Sequence, residues 1–133
     1  MSEWGKRFIS SQEFHELILK LIDKLPKDKY KFVYAIPRGG LIIGVYVSHY
    51  LNIPLIVGKY HPSELCIETL IVDDLVDTGI TLKEFLDSGF DIAVLQYKPR
   101  SSIIPTYYVE ERSNEEWITY PFERADEEPN REI

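Results

Sequence analysis

Leu70-Ile71-Val72-Asp73-Asp74-Leu75-Val76-Asp77-Thr78-Gly79-Ile80-Thr81 is the stretch that decides the fold. A short apolar run meets two adjacent carboxylates, a third carboxylate follows, and a small-residue turn leads into a helix-compatible segment. β-branched content and turn signals read as a buried strand that ends at the acid pair and feeds a loop and a helix. Carboxylates at the carboxyl end of a parallel strand stand at the rim where α/β folds take their ligands. Thr78, Gly79 and Thr81 offer backbone N–H groups and hydroxyls at a helix N-terminus, a geometry that suits phosphate. Acids on one side and an anion receptor on the other suit a sugar phosphate. Its diol and a metal would lie near Asp73 and Asp74, with its phosphate in the turn. The plainer reading is a strand, an Asx-rich turn and a helix cap, but three carboxylates within five residues exceed what a cap uses.

Working outward, residues 31–36 form the preceding apolar strand, which stops at Pro37-Arg38-Gly39-Gly40. Proline cannot continue a ladder, and the glycines permit unusual backbone angles. Residues 41–51 then read as a mostly apolar helix closed near Asn52 and Pro54. Strand, glycine-rich turn with one cation, and helix make a second anion receptor; a turn that needs its glycines for packing alone has the same wording. Residues 55–58 read as another strand, and 59–68 as a connector. Downstream, Leu82, Phe85 and Leu86 fall at helical spacing before the stop signal Gly89. Residues 92–95 read as a buried strand, with Lys98 just past its carboxyl end on the same rim as Asp73. Residues 106–110 read as a late strand.

Ser10 and Glu13 have capping-box spacing, and Phe14, Leu17, Ile18, Leu21 and Ile22 repeat on one face of a helix that stops before Pro26. His15 beside that stripe reads as solvated, and His49 as structural. Residues 1–9, with Trp4 and Phe8, are expected to pack on the domain or on a partner subunit. Alternating strands and helices imply an α/β fold: a mostly parallel central sheet with helices on both faces, in one domain over residues 1–124. Residues 125–133 read as a solvated acidic tail.

The chain has 133 residues, a formal net charge of -7 and a pI of about 5.0. An acidic surface disfavours broad binding to nucleic acid or to anionic membrane. Cys66 is the only cysteine, so no internal disulfide forms, which fits a cytoplasmic location. The first ten residues do not resemble a signal peptide, and no apolar run approaches the length of a membrane span.

Residues 71–81 resemble the phosphoribosyl-pyrophosphate motif of type I phosphoribosyltransferases. The Asp-Asp-Leu-Val-Asp-Thr-Gly wording is similar to the bacterial xanthine–guanine branch, and the likeness extends over roughly residues 30–124. The resemblance implies transfer of phosphoribosyl from phosphoribosyl pyrophosphate to a 6-oxopurine, with Mg²⁺ as cofactor, in a homodimer or homotetramer. It implies that Asp73 and Asp74 hold the ribose diol and the metal shell. Thr78, Gly79, Ile80 and Thr81 would hold the 5′-phosphate, and Asp77 would be the general acid/base. Arg38 and Gly39 correspond to the loop that binds pyrophosphate. Lys98, in a Lys-Pro context, corresponds to a lysine that bonds the purine 6-oxygen, and a cationic donor there selects 6-oxopurines over 6-aminopurines. Trp117 and Ile118, ahead of Tyr120-Pro121-Phe122, resemble the segment that holds the base, Trp117 by stacking and Ile118 through backbone groups. The chain departs from the family at residues 59–68, where relatives carry a longer hood. A reduced hood would leave a wetter site, with Lys59 and Tyr60 as its nearest substitutes.

Two other classes fit the fold. A non-catalytic regulator that binds a nucleotide or phosphoribosyl pyrophosphate is favoured by the short connector and disfavoured by the intact purine-side residues. A phospho-acceptor signalling domain needs acids after two different strands, whereas all three here follow one.

Overall fold

A computed structural model of the chain describes residues 6–123; Trp4 and the acidic tail expected at 125–133 lie outside them. The elements in order are β1 (Lys6–Phe8), α1 (Ser11–Asp23), β2 (Phe32–Ala35), α2 (Leu41–Leu51), β3 (Leu55–Ile56), β4 (Thr69–Val76), α3 (Ile80–Asp87), β5 (Ile92–Tyr97), β6 (Tyr107–Glu111) and β7 (Trp117–Thr119). The main sheet has the order β3-β2-β4-β5-β6, and every pairing in it is parallel. This is the α/β architecture expected from the alternation of strands and helices. β4 lies in the middle of the sheet and is buried along its whole length.

The two faces of the sheet carry separate cores. On one face Phe14, Leu17, Ile18 and Leu21 of α1 and Ile43 and Val47 of α2 pack on Val33, Ala35, Leu70, Val72 and Leu95. On the other face Leu82 and Phe85 of α3 pack on Tyr34, Ile71, Ile92 and Val94. α1 starts where its cap residue dictates: the Ser10 hydroxyl accepts from the Glu13 N–H at 3.1 Å. The Glu13 carboxylate does not complete a capping box but pairs with Arg7. α2 closes on Asn52, which adopts the left-handed conformation that Asn tolerates.

Several expectations need correction. β4 does not end at the acid pair but continues to Val76, paired with β5 through Leu75 opposite Gln96 and Val76 opposite Tyr97. The acids remain within the strand because each carboxylate takes up the next residue's donor. Asp73 Oδ1 accepts from the Asp74 N–H at 2.8 Å, and Asp74 Oδ1 accepts from the Leu75 N–H at 2.6 Å. Side-chain alternation slips at this point: Leu70, Val72 and Leu75 join one core, Ile71 and Val76 the other. α3 begins at Ile80 rather than Leu82, and β3 ends at Ile56 rather than Gly58. His15 is not a solvated residue: it is half-buried, and its Nδ1 shares a 2.9 Å hydrogen bond with the Tyr46 hydroxyl.

Residues near the N-terminus do pack on the domain, as a strand the sequence did not announce. β1 pairs in parallel with β7, with Lys6 opposite Trp117 and Phe8 opposite Thr119. The connector before β4 holds a short 3₁₀ turn at Pro62–Glu64, and His61 ties it to Glu84 of α3.

Candidate active site

The turn after β4 and the first residues of α3 enclose an open cleft with about 270 Å³ of empty space, lined by Asp73, Asp77, Thr78, Gly79, Ile80 and Thr81 among others. Gly79 makes the turn possible. Its φ of +83° is a conformation that L side chains rarely adopt. A methyl group there would also stand 2.9 Å from the Ser102 hydroxyl. The Ile80 side chain is largely exposed, so its contribution to the cleft is its backbone. Thr78 and Thr81 line the cleft and are exposed. The loop after β5 closes the back of the turn, where the Ser102 N–H donates to the Thr78 carbonyl at 2.8 Å.

The acid pair divides its work between two directions. Asp73 lines the cleft, only 4% exposed. Asp74 is fully buried and lies against the loop that follows β2: a methyl group built on Gly39 would overlap its carboxylate. A methyl group on Gly40 would stand 2.5 Å from the Val72 carbonyl. Packing therefore does require both glycines, and the thing they pack against is the acidic strand itself. Arg38, next to Gly39 in that loop, is exposed, and its peptide bond to Pro37 is cis.

Asp77 is held from the strand beside it. Arg100 donates through Nε at 2.7 Å and lies 2.5 Å away through Nη2, both to Oδ1, and Lys98 Nζ lies 3.9 Å from the same oxygen. Lys98 is not the solvated rim cation its position would ordinarily give. It is 4% exposed, and its ammonium donates to the Glu116 carbonyl at 2.5 Å. Glu116 is the residue before Trp117, so Lys98 links Asp77 to the start of β7. The Glu116 side chain is gripped by Arg112, at 2.6 Å and 3.1 Å, and that guanidinium holds the Glu116 carboxyl below its ordinary value. Trp117 is half-buried. The Ile118 side chain lies in the core, which leaves only its backbone for a ligand.

The structure thus joins Asp73, Asp77 and residues 78–81 in one cleft and sets Lys98 and the start of β7 beside Asp77. Asp74 stands behind that cleft, on the Gly39 side. Sequence reasoning missed Arg100 and Arg112. Arg100 is the second cation of Lys98-Pro99-Arg100 at the same rim, which was the available signal. It also missed Tyr120, whose buried hydroxyl donates to Gln96 Oε1 at 2.7 Å and lies 3.3 Å from the Asp74 carbonyl.

No family model matches the chain. Individual relatives do. It is 30% identical to the xanthine-guanine phosphoribosyltransferase of Idiomarina loihiensis, over 87% of this chain and 86% of the relative. It is 30% identical to the enzyme of that name from Desulfotalea psychrophila, over 92% of this chain and 91% of the relative.

The chain belongs to the xanthine–guanine phosphoribosyltransferase family.

A solved purine phosphoribosyltransferase from Pyrococcus horikoshii superposes with a TM-score of 0.76 at 29% identity, covering 95% of this chain and 99% of that one. As a xanthine–guanine phosphoribosyltransferase relative, the protein is an enzyme of the phosphoribosyl-transfer class, on the fold its acidic strand suggested. Among the described residues no helix is long and apolar enough to cross a membrane.

Proposed function

We propose that the protein transfers phosphoribosyl from phosphoribosyl pyrophosphate to a 6-oxopurine (xanthine, guanine or hypoxanthine) and releases pyrophosphate, as a purine-salvage step in the cytoplasm. The observation that carries this reading is a chain of contacts that starts at the cleft. The turn of residues 78–81 leads to Asp77, then to Lys98 at 3.9 Å, then to the Glu116 carbonyl and Trp117. A nucleoside 5′-monophosphate has the same order: phosphate, ribose, base.

On this reading Thr78, Gly79, Ile80 and Thr81 hold the 5′-phosphate through backbone N–H groups and hydroxyls. Asp73 holds the ribose diol at the cleft, and Asp74 supports it from the side of Gly39. Arg38 and the Gly39 backbone face the departing pyrophosphate. Trp117 presents a flat face to the base, and the backbone at Ile118 reads its 2-position. Lys98 donates to the 6-oxo group. The purine nitrogen attacks C1′ as the C1′–O bond to the diphosphate breaks, and the bonding pair leaves with pyrophosphate. Asp77 takes the proton that the purine nitrogen loses.

Mg²⁺ fits this donor set. Hard carboxylate oxygens suit the ion, which is usually bound by one or two carboxylates together with substrate phosphates. Asp73 would supply one such oxygen at the cleft, and Asp74, buried on the Gly39 side, would support the metal shell through water. Bound there with the diphosphate, Mg²⁺ would neutralise charge on the leaving group.

The reading takes residues 1–124 as one catalytic domain that works as a homodimer or homotetramer. On this reading the connector of residues 59–68 takes the place of the longer hood of the relatives. The test is a panel of xanthine, guanine, hypoxanthine and adenine with phosphoribosyl pyrophosphate and Mg²⁺, following nucleotide formation. Turnover of the three 6-oxopurines with poor use of adenine is expected. Binding without turnover would favour a regulator on the same fold.

A further inference from the structure

The hydrogen bond from Arg100 to Asp77 and both cation contacts to that carboxylate fall on a single oxygen, Oδ1. We propose that Arg100 is a positioning residue for phosphoribosyl transfer: by gripping Asp77 through Oδ1, it fixes Oδ2 as the oxygen that takes the purine proton. The inference rests on the reading of Asp77 as the acid/base.

The geometry is specific. A guanidinium that approaches one carboxylate oxygen with Nε and Nη2 together stops rotation about the Cβ–Cγ bond more firmly than a single point charge would. The Lys98 ammonium lies 3.9 Å from the same oxygen, and it is itself fixed by the Glu116 carbonyl. Arg100 is anchored in turn. Its backbone N–H donates to Asn114 Oδ1 at 2.8 Å, and two residues later the Ser102 N–H donates to the Thr78 carbonyl at 2.8 Å. The arginine is therefore fastened both to the phosphate turn and to the segment that leads to Trp117. Asp77 is tethered between the two parts of the substrate that must meet. Arg100 is itself exposed and does not line the cleft, so it acts on turnover through Asp77.

The test is a kinetic double-mutant cycle on the full chain with Arg100→Ala, Asp77→Asn and the double variant, measured with guanine and phosphoribosyl pyrophosphate. Arg100→Ala should lower kcat about 10- to 100-fold, the scale of a misoriented catalytic group. KM for both substrates should stay within about threefold, because no binding group has been removed. Guanidinium added in solution should restore part of the lost kcat. In the Asp77→Asn background Arg100→Ala should have no further effect, because the two residues act as a unit. Normal kcat in Arg100→Ala beside a strongly impaired Asp77→Asn would overturn the positioning role and leave the acid/base reading standing. Normal kcat in Asp77→Asn would overturn both. Equal losses in kcat and thermal stability, without guanidinium rescue, would reduce Arg100 to a structural contact.

Discussion

Lys98 and Asp77 come from the ends of adjacent parallel strands and meet at 3.9 Å, with the lysine buried and its ammonium fixed by the carbonyl of Glu116. Burying an ammonium is costly without partners, and here the Glu116 carbonyl and the Asp77 carboxylate supply them. The pair sits between the turn of residues 78–81 and the start of β7.

Lys98→Met keeps the stem volume and removes the cation. Losing a charge-assisted hydrogen bond to a 6-oxo group should raise KM for guanine by roughly 10- to 100-fold, or about 1.5–3 kcal/mol. The preference for guanine over adenine should fall by a similar factor. Comparing kcat/KM for the two bases in wild type and variant checks this.

Gly39→Ala should disable the enzyme through Asp74. The added methyl group would overlap the Asp74 carboxylate, so either the acid or the loop must move. Overpacking of this kind costs about 1–3 kcal/mol, read by urea unfolding, and turnover should fall together with stability. Gly79→Ala should add the left-handed backbone penalty, about 1–2 kcal/mol, to a contact with Ser102.

Thr69→Val should stabilise the fold. Thr69 is fully buried at the start of β4, and its hydroxyl has no hydrogen-bond partner among the described residues. Replacing it with a methyl group removes an uncompensated desolvation and should gain up to about 1 kcal/mol, seen as a higher Tm with unchanged kinetics.

The Arg112–Glu116 pair sets an acid limit. Arg112 depresses the Glu116 carboxyl in the folded state, so the pair's stabilisation is present above the ordinary carboxylate value near 4.5 and is lost as pH falls through the lower folded value. Arg112→Met should therefore lower Tm by a constant amount between about pH 6 and 8. The gap to wild type should narrow and close as pH falls below that ordinary value. Thermal unfolding across that range checks the sign.

What the sequence disclosed about this site was local. Strand, acids, turn and helix lie within residues 70–87, and each element carries its own short-range signal: β-branched residues, Gly79, and the spacing of Leu82, Phe85 and Leu86. The Arg38 loop was legible for the same reason. Long-range relationships were not. β1 and β7 are three residues each from opposite ends of the chain, too short to show a period, and only their pairing makes them strands. The rim position of Lys98 was legible, but its burial was not, because one of its partners is the Glu116 backbone carbonyl, which no side-chain pattern reports. β4 outran its expected end because Asp73 and Asp74 satisfy their neighbours' N–H groups, so acids that normally break a strand were accommodated within it.

The most direct measurement is calorimetric titration with guanosine 5′-monophosphate and with guanosine, for wild type and for a Thr78→Val, Thr81→Val double variant. If the turn after β4 holds the 5′-phosphate, wild type should prefer the monophosphate by about 10²-fold or more, the worth of two charge-assisted hydrogen bonds. The double variant, which keeps the backbone N–H groups and loses both hydroxyls, should lose part of that preference, about tenfold or more, while binding guanosine as before. A preference that survives the double substitution intact would contradict the account.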